Sequence, residues 1–380
     1  MTHRSKVVVD LLFVSGERGG METYARELLP RTAGHLPDVD LVALTSTTGK
    51  DEVAGWFPGE VHALALDADS RALWAAAEVL AVERRARRAG ADLLWCPANF
   101  GPAGRRVATL VTVHDVTMLE LPNRDLHQAA QAVTSWLVRR AARGATRILT
   151  VSEDAARGIS RALDVPADRI DVVPNGAQEV RPGIDVEAAL AGLPPISGRP
   201  VVLSTGNRMP HKNFDGLLRA LAAIPPGQRP TTVVTGSRRD VHLREQVRQL
   251  GLEDDVVLLG WVTQDQLEAL FASATVYVCP SLAEGFGLPV ADAMKRGVPV
   301  LANDIPVLRE VGGTAARYAD ATDPAALAKA LVSIVADPAE RELMSAAGRA
   351  RATLFTWDAS AERTARVLAR TLDEVQARRG

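Results

Sequence analysis

Cysteine and aromatic side chains are scarce in this chain, and neither sign of charge dominates it. Two cysteines in 380 residues, Cys96 and Cys279, exclude a disulfide framework. Each ends a short apolar run, so both read as buried thiols, and neither stands in a Cys/His arrangement suited to a nucleophile. The formal charge is −2, from 46 acidic and 44 basic residues, which argues against nucleic acid as a partner. Long hydrophobic runs are missing too. The first apolar run, residues 6–9, follows a few polar residues with no signal-peptide core, and nothing reaches membrane-spanning length. No His/carboxylate cluster shows metal-ligand spacing, and no G-x-G-x-x-G fingerprint marks a nicotinamide cofactor. Internal repeats and low-complexity blocks are also absent. What remains is a cytoplasmic enzyme expected to use neither a metal nor a resident cofactor.

What is present is an alternation of short apolar strands with amphipathic helical stretches, the pattern of parallel α/β sheets covered on both faces. Hydrophobic residues make up 47% and charged residues 24%, ordinary values for a globular protein, and the length suffices for two cores. Strands are predicted at 6–14, 40–45, 61–66, 92–96, 107–113, 145–151 and 169–173. A second set is predicted at 200–205, 231–235, 256–259, 275–279, 298–302 and 315–318. Between the sets, 181–199 is rich in glycine and proline and reads as a linker. The expected organisation is therefore a Rossmann-like domain over 1–180, a second over 200–355, and a final helix over 356–380.

The most informative segment is Pro280-Ser-Leu-Ala-Glu284-Gly285-Phe286-Gly287-Leu288-Pro289-Val-Ala-Asp292. It sets two carboxylates around a glycine-rich turn that follows a strand and opens a helix. Gly285 and Gly287 admit backbone shapes and close approaches that a Cβ obstructs. Pro289 suits a first helical turn, whose free N–H groups favour an anion. By themselves Glu284 and Asp292 could equally be solvated charges. A second loop, Thr205-Gly206-Asn207-Arg208-Met-Pro-His211-Lys212-Asn213, places two cations before another helix, an unfavourable position unless an anion is bound. A third, Ser15-Gly-Glu-Arg-Gly19-Gly20-Met-Glu22, again lies between strand and helix, though its glycines alone are a weak signal. His114-Asp115 ends a strand at the edge where ligands bind in open α/β sheets. The pair suits a base with its orienting partner, a metal ligand, or a loop histidine satisfied by its surroundings.

Glu284-Gly-Phe-Gly-Leu-Pro-Val-Ala-Asp292 resembles the E-x7-E signature of retaining GT-B glycosyltransferases, the large "glycosyl transferases group 1" family, with Asp in place of the usual second Glu. The resemblance spans nearly the whole chain, densest after Thr205. It implies a GT-B fold, with two Rossmann-like domains facing each other across a cleft and the C-terminal helix crossing back to the first. It implies that Glu284 contacts the donor sugar and Asp292 the ribose, and that Arg208 and Lys212 hold the donor phosphates. Gly19 and Gly20 would approach the diphosphate, with Gly206, Asn207, Gly285, Phe286, Gly287 and Leu288 lining the donor. The segments 234–236, with Gly236, and 259–262 would form the nucleotide wall. The His114-Asp115 segment resembles the "HD" of mannosyltransferase-like members, placing His114 near the reaction centre with Asp115 as support. The implied activity is transfer of a hexose from a nucleoside-diphosphate sugar, GDP-mannose-like by these segments, to a hydroxyl acceptor with retention and without a metal.

The acceptor, a small molecule, glycan or lipid-linked sugar, would be met by the first domain around residues 119–124. Ser152 reads equally as a helix cap or a ligand contact. The arginine cluster 83–88 reads first as a solvated helix face and second as a peripheral contact for the inner face of an anionic membrane. A glycosidase needs two carboxylates but no phosphate-binding cations. A GT-B sugar-nucleotide epimerase, or a non-catalytic sugar-nucleotide-binding protein, remains as the alternative. Oligomeric state is not legible.

Overall fold

The computed structural model describes residues 4–16, 19–65, 79, 81–102, 104–120, 128–196, 198–237 and 241–378. The chain forms two compact units, Met1–Gly176 with Trp357–Gly380, and Ala177–Thr356. Each is built on one parallel sheet. The first contains β1 (Ser5–Asp10), β2 (Val39–Ser46), β3 (Glu60–Leu64), β4 (Leu93–Cys96), β5 (Ala108–Thr112), β6 (Arg147–Thr150) and β7 (Ile170–Val172), in the order β3-β2-β1-β4-β5-β6-β7. The second contains β8 (Val201–Thr205), β9 (Thr231–Thr235), β10 (Val256–Leu258), β11 (Val276–Cys279), β12 (Val300–Asn303) and β13 (Arg317–Ala319), in the order β10-β9-β8-β11-β12-β13. All thirteen lie where the apolar runs predict strands. The first is shorter than expected, because Asp10 accepts the N–H of Leu12 at 3.2 Å and turns the chain. The N–H of Leu11 still reaches Leu44 O at 2.7 Å, but Val14 then bonds back to Leu11.

The central strands are buried on both faces because helices cover both, and β-branched residues fit that environment. On one face of the first sheet, the helices Val82–Arg88, Gln128–Gly144 and Glu153–Leu163 bury Val82, Ala86, Val138, Ala142, Ile159 and Leu163 in a core shared with Val111 and Cys96. The C-terminal helix Trp357–Ala377 lies along helix Gly20–Gly34. It buries Ala361, Thr364, Ala365, Leu368, Leu372 and Val375 at three- and four-residue spacing. Arg31 pairs with Asp358 at 3.2 Å, and Gln376 donates to the hydroxyl of Ser5 at 3.2 Å. In the second unit, Leu217, Leu218 and Leu221 of helix Phe214–Ala222 pack with Leu327, Leu331 and Ile334 of helix Pro324–Ala336. Each fully buried side chain of this size contributes about 1.5–3 kcal/mol of transfer free energy. Both cysteines are buried and neither is in a disulfide.

The expected linker 181–199 is built into the second unit. Asp185 accepts the N–H of Ala188 at 3.0 Å and caps the short helix Val186–Leu190, which packs on helix Gln264–Ser273. Arg181 pairs with Asp265 at 3.1 Å and Arg199 with the buried Asp255 at 2.6 Å. Its glycines and prolines shape turns within a domain, and the chain passes between units at Gly176/Ala177 and Thr356/Trp357. Strand order reverses between β1 and β4 in one sheet and between β8 and β11 in the other. At such points the loops after neighbouring strands diverge and leave a crevice at their carboxyl ends.

Candidate active site

In the second unit the loops leaving β8 and β11 carry the predicted cations and acids, and the structure joins them. Asn213, in the left-handed region at φ 53°, caps helix Phe214–Ala222 by accepting the N–H of Gly216 at 3.2 Å. Its amide donates to Pro280 O at 3.1 Å and Ala321 O at 2.9 Å. The N–H of Leu282 donates to His211 O at 2.7 Å, and the amide of Asn303 donates to Ser281 O at 2.9 Å. With both loops held, Lys212 Nζ lies 2.6 Å from Glu284 Oε1, both side chains largely buried. Asn213 stands at the end of the predicted cation loop, whereas Asn303 is a support that the sequence does not single out; the partners that make each a brace lie far away along the chain.

The turn after Glu284 ends at Gly287, at φ 97° and ψ 43°, which is the N-cap of helix Leu288–Lys295 with Pro289 in the first turn. A Cβ there would lie 2.8 Å from Leu308 Cδ2. Phe286, expected among the donor-lining residues, instead buries its ring edge-on against Phe355 with centroids 5.4 Å apart, so its side chain anchors the loop. Leu288 is half-buried at the helix start. Gly285 and Leu288 otherwise stand on the turn as the sequence places them.

Arg208 is half-buried and turned onto the carboxyl edge of the sheet. Its guanidinium donates to Gly206 O at 3.0 Å, Thr235 O and Val234 O at 3.3 Å, and Leu259 O at 3.2 Å, and stacks 5.0 Å from the Phe214 ring. It thereby ties the loop after β8 to the ends of β9 and β10. Gly236 makes that closeness possible. At φ 109°, a Cβ on it would meet Gly206 O at 2.8 Å, and its N–H donates to Gly260 O at 3.1 Å. Asn207 is exposed, and its side chain accepts from the N–H of Met209 at 3.4 Å.

Asp292 Oδ1 accepts the N–H of Gln178 at 2.7 Å, where the chain enters this unit. Burial pushes its carboxyl up to about 6, against the opposing pull of Arg296 and the Gln178 hydrogen bond. Its neighbours Glu268 and Arg296 form a buried two-point ion pair, with Arg296 4.9 Å from the Phe271 ring. The carboxyl of Asp292 keeps its proton up to about pH 6 when folded and only to about pH 4 when unfolded. Its stabilising contribution is therefore complete below about pH 4 and is lost as pH rises through about 6. Asp292→Asn keeps an acceptor for Gln178 and is expected to stabilise the fold by roughly 1–3 kcal/mol at neutral pH. It should also remove this part of the pH slope. Melting temperatures of both proteins from acid to neutral pH check this, the difference between the two curves isolating Asp292.

Cys279, beside the ion pair, has its thiol pushed up to about 11 by burial and then by the negative charge of Glu284, with Lys212 opposing. It is no nucleophile at neutral pH.

In the first unit, His114 lies just past β5. Its N–H donates to Asn99 Oδ1 at 2.7 Å, and its Nε2 lies 2.9 Å from Pro97 O. A carbonyl only accepts, so Nε2 carries the proton and Nδ1 is left as an acceptor. Burial lowers the pKa of the ring, outweighing the Pro97 bond and the charge of Asp115, which keeps the imidazole neutral. Tyr24 packs edge-on against it at 4.8 Å. Asp115 accepts from the N–H of Thr117 at 2.8 Å and so shapes the chain after the histidine. Ser152 caps its helix through the N–H of Ala155. At Gly19, with φ −104°, and at Gly20, the first residue of helix Gly20–Gly34, a Cβ would meet nothing within 4 Å. The fold itself does not demand glycine at either position. Glu22, buried at the end of the same segment, accepts from the N–H and hydroxyl of Ser15 at 2.8 and 3.2 Å and holds the start of that loop. Residues 17, 18 and 121–124 of the expected donor and acceptor loops lie outside the described residues. Among the described residues, no group of three or more His, Cys, Asp or Glu side chains could hold a metal ion.

Comparison with known proteins adds to this geometry. The family model "Glycosyl transferases group 1" matches residues 186–351, and "Glycosyltransferase Family 4" matches residues 18–180. The O-antigen chain mannosyltransferase B of Escherichia coli is 30% identical over 281 residues, covering 70% of this chain and 71% of that protein. The D-inositol 3-phosphate glycosyltransferase of Nocardia farcinica is 29% identical over 385 residues, covering 92% of this chain and 84% of its own. Among solved structures, sucrose-phosphate synthase from Thermosynechococcus elongatus superposes with a TM-score of 0.77 at 21% identity, over 98% of this chain and 100% of that one. Anabaena Alr3699/HepE in complex with UDP-glucose gives a TM-score of 0.72 at 19% identity, over 97% and 99%.

Proposed function

Because this chain belongs to the group 1 glycosyltransferases and has their GT-B fold, we propose that it transfers a mannosyl-type hexose from a nucleoside-diphosphate sugar to a hydroxyl acceptor, with retention and without a metal. A hexosyltransferase activity comes with the family, and the choice of donor leans on the mannosyltransferase relatives. The observation that carries the reading is the Lys212–Glu284 contact at the reversal of the second sheet.

Departure of the diphosphate develops positive charge at the anomeric carbon and negative charge on the leaving oxygens. Fixed donors aimed at those oxygens supply the largest stabilisation. Lys212 is the point charge for them, and the start of helix Leu288–Lys295 adds oriented amides. Arg208 contributes a second fixed positive charge on the same loop while holding that loop to the strand ends. Glu284, positioned by Lys212, accepts from a hydroxyl of the donor sugar. His114, neutral and with Nδ1 as an acceptor, serves the sugar without acting as a strong base. The leaving phosphate oxygen takes the acceptor's proton, so no further protein base is required.

The test is a thermal-shift series with GDP, UDP and dTDP, followed by turnover of GDP-mannose in excess chelator. GDP is expected to give the largest shift, approaching ~2.7 kcal/mol at a hundredfold excess over its dissociation constant. Transfer should persist with the chelator, and the product should keep the anomeric configuration of the donor by NMR. Stabilisation by none of the three diphosphates overturns the reading. Donor conversion without any acceptor replaces it with an epimerase.

A further inference from the structure

The first unit carries an arginine-rich surface that the transfer reaction does not use. Helix Gln128–Gly144 buries Val138, Ala141 and Ala142. Its opposite side presents Val133 and Trp136, 58% and 55% exposed, with Arg139 and Arg140, while Arg143 on the same side donates to Leu163 O at 2.9 Å and pairs with Asp164 at 3.4 Å. Positions 133, 136, 140 and 143 recur at three- and four-residue spacing, so they share one stripe. The guanidinium of Arg140 lies 5.6 Å from the Trp136 ring. From residue 128 to residue 147 the chain has no Asp or Glu.

Helix Val82–Arg88 belongs to the same layer, since Val82 and Ala86 enter the same core as Val138 and Ala142. It exposes Arg84, Arg85, Arg87 and Arg88. Its acid, Glu83, is turned onto the N–H groups of Arg106 and Val107 and so braces the intervening loop, which exposes Arg105 and Arg106. A chain with a net charge of −2 thus concentrates positive charge on one layer of one unit, around an exposed indole.

We propose that this surface docks the enzyme on an anionic lipid bilayer, with Trp136 and Val133 entering the headgroup boundary and the arginines meeting lipid phosphates. Charge complementarity selects an anionic surface, and the apolar centre selects a bilayer over a dissolved polyanion, because only the bilayer offers an interface for a tryptophan. Among the described residues no helix is long and apolar enough to cross a membrane, so the attachment is peripheral.

The full chain is sedimented with vesicles of phosphatidylcholine alone and with phosphatidylglycerol added, at low and high salt. Binding is expected with the anionic vesicles only, and high salt should reverse it. The double variant Arg139→Glu/Arg140→Glu should bind about tenfold more weakly or worse, since each arginine near an anionic surface adds to the attraction. Trp136→Ala should weaken binding while leaving its salt dependence in place. Both variants should keep the wild-type melting temperature and transfer to a water-soluble acceptor, which separates this proposal from the transferase reading. Equal partition to neutral and anionic vesicles overturns it, as does unchanged binding by the charge-reversed protein or tighter binding to an oligonucleotide than to vesicles.

Discussion

Lys212→Ala is expected to lower turnover roughly 10²- to 10³-fold, the usual cost of losing one donor aimed at developing charge. The same change should destabilise the second unit, because Glu284 would remain with only 10% of its side chain exposed and its nearest cation gone. Removing one member of a buried pair typically costs about 3–5 kcal/mol, much of it the penalty on the stranded charge. The two effects can be told apart. Lys212→Ala/Glu284→Gln removes the stranded charge and should recover much of the stability while recovering none of the turnover. Denaturant unfolding measures the first, and steady-state rates with a saturating donor measure the second. The thermal shift given by the preferred nucleoside diphosphate should also fall in Lys212→Ala, whereas Glu284→Gln, which leaves the cation, should keep it. Turnover of Lys212→Ala within a few-fold of the wild type would remove the lysine from the leaving-group role.

The second large effect is on folding. Gly236→Ala is expected to cost about 3 kcal/mol or more, adding left-handed strain of ~1–3 kcal/mol to overpacking of similar size. Its Cβ would press on the backbone of Gly206, at 2.8 Å from the oxygen and 3.0 Å from the carbon and nitrogen. Backbone cannot swing aside as a side chain can, so the loop after β8 must shift and carry Arg208 with it. Gly20→Ala is the informative contrast. A Cβ at Gly20 meets open space, and alanine favours a helix by up to about 1 kcal/mol. That variant should unfold no more easily than the wild type, and the donor role that the family resemblance implies for this glycine pair predicts slower transfer. Full activity in Gly20→Ala would cancel the donor role of this glycine pair, and wild-type stability in Gly236→Ala would show that the two loops can separate freely.

Much of this was legible from local pattern. The central strands announce themselves because a strand buried on both faces must be a short, continuous apolar run, whereas the edge strands β3, β7 and β13 are more exposed and carry polar residues. Gly236 and Gly287 mark tight places because glycine is tolerated where other residues are strained. The cations at 208 and 212 and the acids at 284 and 292 stand beside such places, so their chemistry is visible before their geometry. Other features were hidden by distance along the chain. Asp292 meets the N–H of Gln178, 114 positions away, and Asn213 reaches Ala321, 108 positions away. Phe286 looks like a loop residue until Phe355 is brought against it. The Pro/Gly-rich segment 181–199 resembles a linker because turn chemistry is the same inside a domain and between domains.

By itself the sequence determined which residue types stand at the carboxyl ends of which strands, and hence the class of chemistry available, because strand and turn formation respond to neighbours a few positions apart. Only the tertiary structure decided which of these groups meet. Strand order in the second sheet sets β11 beside β8, and that long-range pairing places Lys212 2.6 Å from Glu284. It also turns Arg208 onto backbone carbonyls and commits one oxygen of Asp292 to the chain itself. Those outcomes depend on how burial and hydrogen bonding are satisfied across the whole unit, which no short stretch of residues specifies.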